Sequence, residues 1–167
     1  MYSKVKIMSH PVHPMLVPFP IAFYTSALVA FIIHGFSGSA FWFRVGIAAN
    51  FAGVFMALAA AVFGFIDWNF GIPPGTPAKS TGIKHMSLNV ISLILFLICL
   101  SLNTGQWNAV VPVSRGAVIL SLLGVISTIF AGHFGWTLVQ KHHAGVEFSS
   151  DEERCMSESA GLDERAA

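Results

Sequence analysis

The sequence predicts an all-α membrane protein, an antiparallel bundle of four transmembrane helices. Three observations carry that prediction. The 167-residue chain is 54% hydrophobic and only 10% charged, against roughly 25% charged residues in soluble domains. A soluble chain this short could not hide so much apolar surface. Four apolar runs each reach the roughly 20 residues needed to cross a hydrocarbon core of about 30 Å. The links between the runs are short, which favours antiparallel neighbours.

The runs cover about residues 15–33, 40–66, 83–102 and 110–139. Pro18 and Pro20 fall near the start of the first, where a missing N–H is tolerated. Lys4 and Lys6 before this run give it a faint likeness to a signal peptide, but the prolines interrupt it and no small-residue cleavage site follows, so it reads as a retained span. Backbone groups in lipid must be satisfied internally, and no period-2 alternation supports a barrel, so the runs are helices. Gly46, Gly53, Ala57 and Ala61 offer close-packing positions on the second run. The links are 34–39, the turn-rich 67–82 and 103–109. No repeat of solenoid type is present. After the four-span domain, 1–146, the stretch 147–167 turns charged and Ser-rich and is expected to be a disordered tail.

Four antiparallel spans put both termini and the 67–84 loop on one side of the membrane. Seven of the nine Lys and Arg residues fall there (Lys4, Lys6, Lys79, Lys84, Lys141, Arg154, Arg165), against Arg44 and Arg115 opposite. The positive-inside rule makes that side cytoplasmic, in a bacterial inner membrane. The same alternation gathers His10, His13, His85, His133, His142 and His143 at that end, leaving only His34 at the other. Asp67 and Trp68 end the second run there too. By helical rise His133 sits roughly 13 Å deeper than His142, and differs from His85 by on the order of 10 Å. Histidines at such depth are functional candidates.

Four ordered stretches resemble one family. His13-Pro-Met-Leu-Val-Pro-Phe-Pro-Ile21 is similar to the His-Pro-x-x-Val-His-Phe-Pro-Ile opening of the DUF2231 membrane proteins. Gly64-Phe-Ile-Asp-Trp68 resembles their Gly-x-x-Asp-Trp. Gly82-Ile-Lys-His-Met-Ser-Leu-Asn89 resembles the start of their third span. Gly135-Trp-Thr-Leu-Val-Gln-Lys-His-His-Ala-Gly-Val146 resembles their ending, with His142 as the matching histidine and His143 in place of a glycine. Pro18 stands where the family often has a second histidine, and His133 has no counterpart. The resemblance covers about 10–146 and implies a topology and a polar site rather than an activity.

Three chemistries suit these residues. Haem b could be held between two spans, with His85 as the preferred ligand and His13, His133 or His142 as the second, which would make the protein an electron-transfer subunit. A metal ion could be held by His13, Asp67, His85 and His142. The histidines could instead be structural, in a membrane scaffold or accessory subunit of a larger complex. His142 and His143 are adjacent, so at most one of them faces a ligand. Trp42, Trp68, Trp107 and Trp136 read as interfacial anchors. Cys99 and Cys155 are too differently placed to pair. The net charge of +1 argues against a nucleic-acid partner, leaving lipid and a redox protein or larger membrane complex. No phosphate loop, nucleophile elbow or His-Glu-x-x-His is present, so catalysis by the chain alone is not expected.

Overall fold

The structure, a computed structural model, describes residues 3–8, 10–146, 151–152 and 154–155. Most of the expected disordered tail lies outside the described residues. The chain opens on an antiparallel hairpin of β1 (Lys6–Ile7) and β2 (His10–Pro11). Five helices follow: α1 (Val12–Leu16), α2 (Pro18–Ser37), α3 (Ala40–Gly71), α4 (Pro77–Asn103) and α5 (Ala117–Gln140). With α1 and α2 taken as one span, Val12–Ser37, four spans are long and apolar enough to cross a membrane. α2 packs mainly on α3 and α4 on α5, while α2 also touches α5 and α3 touches α4.

Local chemistry sets the helix ends. Pro18 and Pro20 bring no N–H to the ladder, so α1 and α2 meet at a break, bridged by Val17 N–H donating to the His13 carbonyl at 3.2 Å. Gly38, at φ +65°, ends α2 and returns its N–H to the His34 carbonyl. α4 begins at Pro77, six residues before the apolar run, because the Thr76 side chain accepts from Lys79 N–H and Pro77 fits the first turn. α5 begins at Ala117, seven residues after the start of its apolar run. Pro112 and the left-handed Gly116 (φ +63°) keep 110–116 out of the helix. That stretch is tied back by side-chain amides: Gln106 bonds both the N–H and the carbonyl of Val113, and Asn103 Oδ1 accepts from Arg115 N–H.

The core is built from rings set into glycine notches. A Cβ on Gly46 would lie 2.6 Å from the Phe31 ring, on Gly53 2.6 Å from Tyr24, and on Gly124 2.5 Å from Phe96. Only hydrogen leaves room for a ring against the next helix at these three places. Tyr24 and Phe96 then stack face to face, 3.6 Å apart and 3° from parallel. Along α4, steps of three and four residues carry Gly82, His85, Asn89, Ser92, Phe96, Cys99 and Asn103 down one seam.

Polar atoms on that seam stitch α4 to its neighbours. Ser92 Oγ donates to the Gly124 carbonyl at 3.0 Å and meets Thr128 Oγ1 at 2.8 Å. Ser127 Oγ donates to the Leu88 carbonyl, and Asn50 Nδ2 to the Phe96 carbonyl. Outside, Phe51, Phe55, Val62, Ile119 and Ile129 are all more than half exposed. Small and polar residues are drawn inward beside the buried rings of Phe31, Phe43 and Phe96, while many large apolar side chains face outward, as lipid solvation allows. Trp68 also ties the end of α3 to the start of α4. Its indole N–H donates to the Lys79 carbonyl, and the Lys79 ammonium returns to the Trp68 carbonyl at 2.6 Å while lying 4.0 Å over the ring.

Asp67 lies inside the last turns of α3, which runs on to Gly71. Its carboxylate accepts from Ser3 Oγ at 2.8 Å, Lys4 N–H at 2.7 Å and Val5 N–H at 3.3 Å. The N-terminal segment is thereby held over this end of the bundle. These donors, rather than Lys84 or a histidine, balance the carboxylate at the negative end of the helix.

Two outcomes follow from these contacts. Asp67→Ala removes charge-assisted bonds that each contribute about 1.5–3 kcal/mol, so hydrogen exchange of the Lys4 and Val5 amides accelerates by roughly tenfold or more; unchanged exchange would show that the carboxylate does not hold the segment. Tyr24 Oη is buried without a hydrogen-bond partner among the described residues, and an unpaired buried hydroxyl costs about 1–3 kcal/mol. Tyr24→Phe therefore raises the melting temperature in detergent, and a fall would reveal a partner for the hydroxyl.

Candidate functional site

One end of the bundle brings His13 and His85 together. Their ring centres are 6.3 Å apart and the ring planes cross at 89°. Both are partly buried. His13 sits on α1, just ahead of the proline break, and its Nδ1 lies 2.8 Å from the Ala60 carbonyl of α3. His85 sits on α4, and its Nδ1 lies 2.8 Å from the Ala131 carbonyl of α5. A carbonyl can only accept, so each Nδ1 carries the proton and donates it. The remaining lone pair is on Nε2 in both rings. At His85 that atom accepts from Asn89 Nδ2 at 3.1 Å. Among the described residues His13 Nε2 has no hydrogen-bond partner.

Each ring also lies against a glycine. A Cβ on Gly64 would come within 2.7 Å of His13 Cε1, and one on Gly135 within 3.1 Å of His85 Cε1. Ala60 and Gly64, like Ala131 and Gly135, are one helical turn apart, so the carbonyl and the notch belong to one face of each helix. Helix α3 thus seats one imidazole and α5 the other.

The remaining candidates are placed elsewhere. His133 was expected about 10 Å from His85 in depth. Because α4 starts early, His85 reaches the level of Ala131, two residues from His133. His133 points away, however: it is exposed and lies against Phe134. Ala131 and Gly135 face His85, and a residue midway between them projects from the opposite side. His142 Nε2 is 3.4 Å from Thr81 Oγ1, a link between the ends of α4 and α5. Asp67 is occupied by the N-terminal segment. Among the described residues no three His, Cys, Asp or Glu side chains are grouped to hold an ion, so the quartet His13, Asp67, His85 and His142 is not assembled. His10 bonds the Met8 carbonyl, and His34 at the opposite end bonds the Ser39 carbonyl. Asn89, Ala60 and Ala131 went unremarked as site residues in the sequence. The four-residue spacing of His85 and Asn89 was a readable signal for the first; backbone carbonyl acceptors leave none.

The ring-centre separation can be set against that of two histidines sharing one metal. With a metal–nitrogen bond of about 2 Å and about 1.2 Å from ring nitrogen to ring centre, imidazoles whose Nε2 atoms both faced one metal from opposite sides would stand roughly 6.4 Å apart. Their observed separation is 6.3 Å. Metal-ligating histidines also characteristically give the second ring nitrogen's proton to a carbonyl or carboxylate, as both do here. Two histidines would suffice to hold a haem iron, whereas a bare ion would need further donors that are not grouped here among the described residues.

Comparison with known proteins adds a family and no activity. No curated protein and no solved structure matches the chain. A family described as predicted membrane protein, DUF2231, matches residues 9–147. That span takes in the paired histidines, the four membrane-crossing helices and both glycine seats, and the chain accordingly belongs to the DUF2231 family of membrane proteins.

Proposed function

We propose that this membrane protein is a b-type haem subunit for electron transfer, in which His13 and His85 would hold the haem. The observation that carries the proposal is the imidazole pair: 6.3 Å between centres, planes crossed at 89°, and each Nδ1–H spent on a backbone carbonyl. A haem bound there would supply a one-electron couple near one face of the bilayer. The chain's own part is to orient the ligands. The Ala60 and Ala131 carbonyls fix both tautomers with Nε2 unprotonated, and Asn89 donates to that atom of His85. Electrons would come from and go to a redox protein or a larger membrane complex.

Expression with ample haem should give purified protein with a Soret band and the spectrum of a six-coordinate b-type centre. His13→Ala and His85→Ala should each remove that low-spin spectrum. A colourless wild-type protein ends the proposal. A second reading has its own support, because Asn89 already satisfies His85 Nε2. On that reading the histidines are interhelical staples in a scaffold or accessory subunit. It predicts a loss of melting temperature in both alanine variants with no chromophore at any stage.

The excess of Lys and Arg at the end holding this pair supports a cytoplasmic orientation for that end, in a cytoplasmic (inner) membrane. Single cysteines replacing Lys79 and Lys141 should then both resist impermeant labels added from outside. Labelling of either one would reverse or break this orientation.

A further inference from the structure

Seventy-two positions separate His13 from His85, and 72 separate Tyr24 from Phe96. On the returning helices, 71 positions separate Gly53-Val54 from Gly124-Val125, Ala60 from Ala131, and Phe63-Gly64 from Phe134-Gly135. The pattern Gly-Val, then Ala six residues on from the Val, then Phe-Gly three beyond the Ala, is thus written twice.

Aligned residues make the same contacts. His13 bonds the Ala60 carbonyl at 2.8 Å, as His85 bonds that of Ala131 at 2.8 Å. His13 lies in the notch of Gly64 and His85 in that of Gly135. Tyr24 fills Gly53 as Phe96 fills Gly124. Whole helices obey the same exchange: swapping α2 with α4 and α3 with α5 leaves the set of packing neighbours unchanged. Residues related by a two-fold touch each other only where they meet its axis. Two such pairs do, His13 with His85 and Tyr24 with Phe96. They lie eleven residues apart on each chain segment, about 16 Å of helix, so they mark an axis running along the bundle.

We infer that the chain is a tandem of two helical hairpins related by a pseudo-two-fold axis along the membrane normal, and that Gly64 and Gly135 are positioning residues seating His13 and His85 for one centre held on that axis. The ligand part rests on the haem reading above; the tandem and the seating do not. Repeats of parallel topology around such an axis commonly place their sites where the halves meet. His13 and His85 would hold such a centre, one from each half. One of the differences between the halves bears directly on it: Val17 occupies the place of Asn89, so only His85 has an amide at Nε2.

The experiment compares the full chain with Gly64→Ala, Gly135→Ala and, as control, Gly132→Ala, whose added methyl meets nothing within 4 Å. The first readout is the nitrogen-15 signals of the imidazoles in ligand-free protein, which separate a protonated from a bare ring nitrogen. Both His13 and His85 should report Nδ1–H. Gly64→Ala should displace the His13 signal, Gly135→Ala that of His85, and Gly132→Ala neither. The second readout is haem occupancy, which the two seat variants should lower by roughly tenfold or more.

Gly135→Ala is the milder change, so it answers even if Gly64→Ala fails to fold. Nε2–H at either histidine, or signals untouched by both seat substitutions, would overturn the seating. A wild type with no Soret band but the expected imidazole signals would remove the haem reading and leave the seating intact. A Soret band unchanged in both seat variants would do the reverse.

Discussion

Close approach of helix backbones is the constraint on which this protein depends. In lipid, apolar side chains gain little by leaving their solvent, so helices associate through fit and interhelical hydrogen bonds. Here the fit is a ring on one helix entering a glycine notch on the next, at Phe31 and Gly46, Tyr24 and Gly53, and Phe96 and Gly124. Such contact brings main-chain carbonyls within reach of side chains across the seam. Ser92, Ser127, Asn50, His13 and His85 all use that reach. The candidate site is a local use of the device that closes the whole bundle.

Much of the architecture was legible because lipid makes the code coarse. Run length, the scarcity of charge and short links were enough for four antiparallel helices. The gathering of histidines at one end followed from alternating helix direction alone. The choice among those histidines did not. It depended on where α4 begins, a matter of one N-cap threonine and one proline rather than of hydropathy, and six added residues lowered His85 to the level of Ala131. It depended also on helix phase, which turned His133 outward between two inward neighbours.

The doubling of the chain was hidden for a different reason. The two halves keep register to 72 positions on their first helices and 71 on their second, so no single shift aligns both. Most matched positions also face lipid, where Phe, Ile and Leu exchange freely and leave no mark. What persists is the inward set of glycines, alanine and ring-bearing residues. The Asp67 contact was equally beyond reach of spacing, since its partners are two backbone N–H groups and one hydroxyl from a segment more than sixty residues away.

The broken ladder at Pro18 and Pro20 has a mechanical side. His13 lies before that break and Tyr24 after it, on what is otherwise a single rod. No comparable weak point separates His85 from Phe96 on α4. A change in tilt of the first span would therefore concentrate at the elbow, between an imidazole pinned to α3 and the aromatic stack below it.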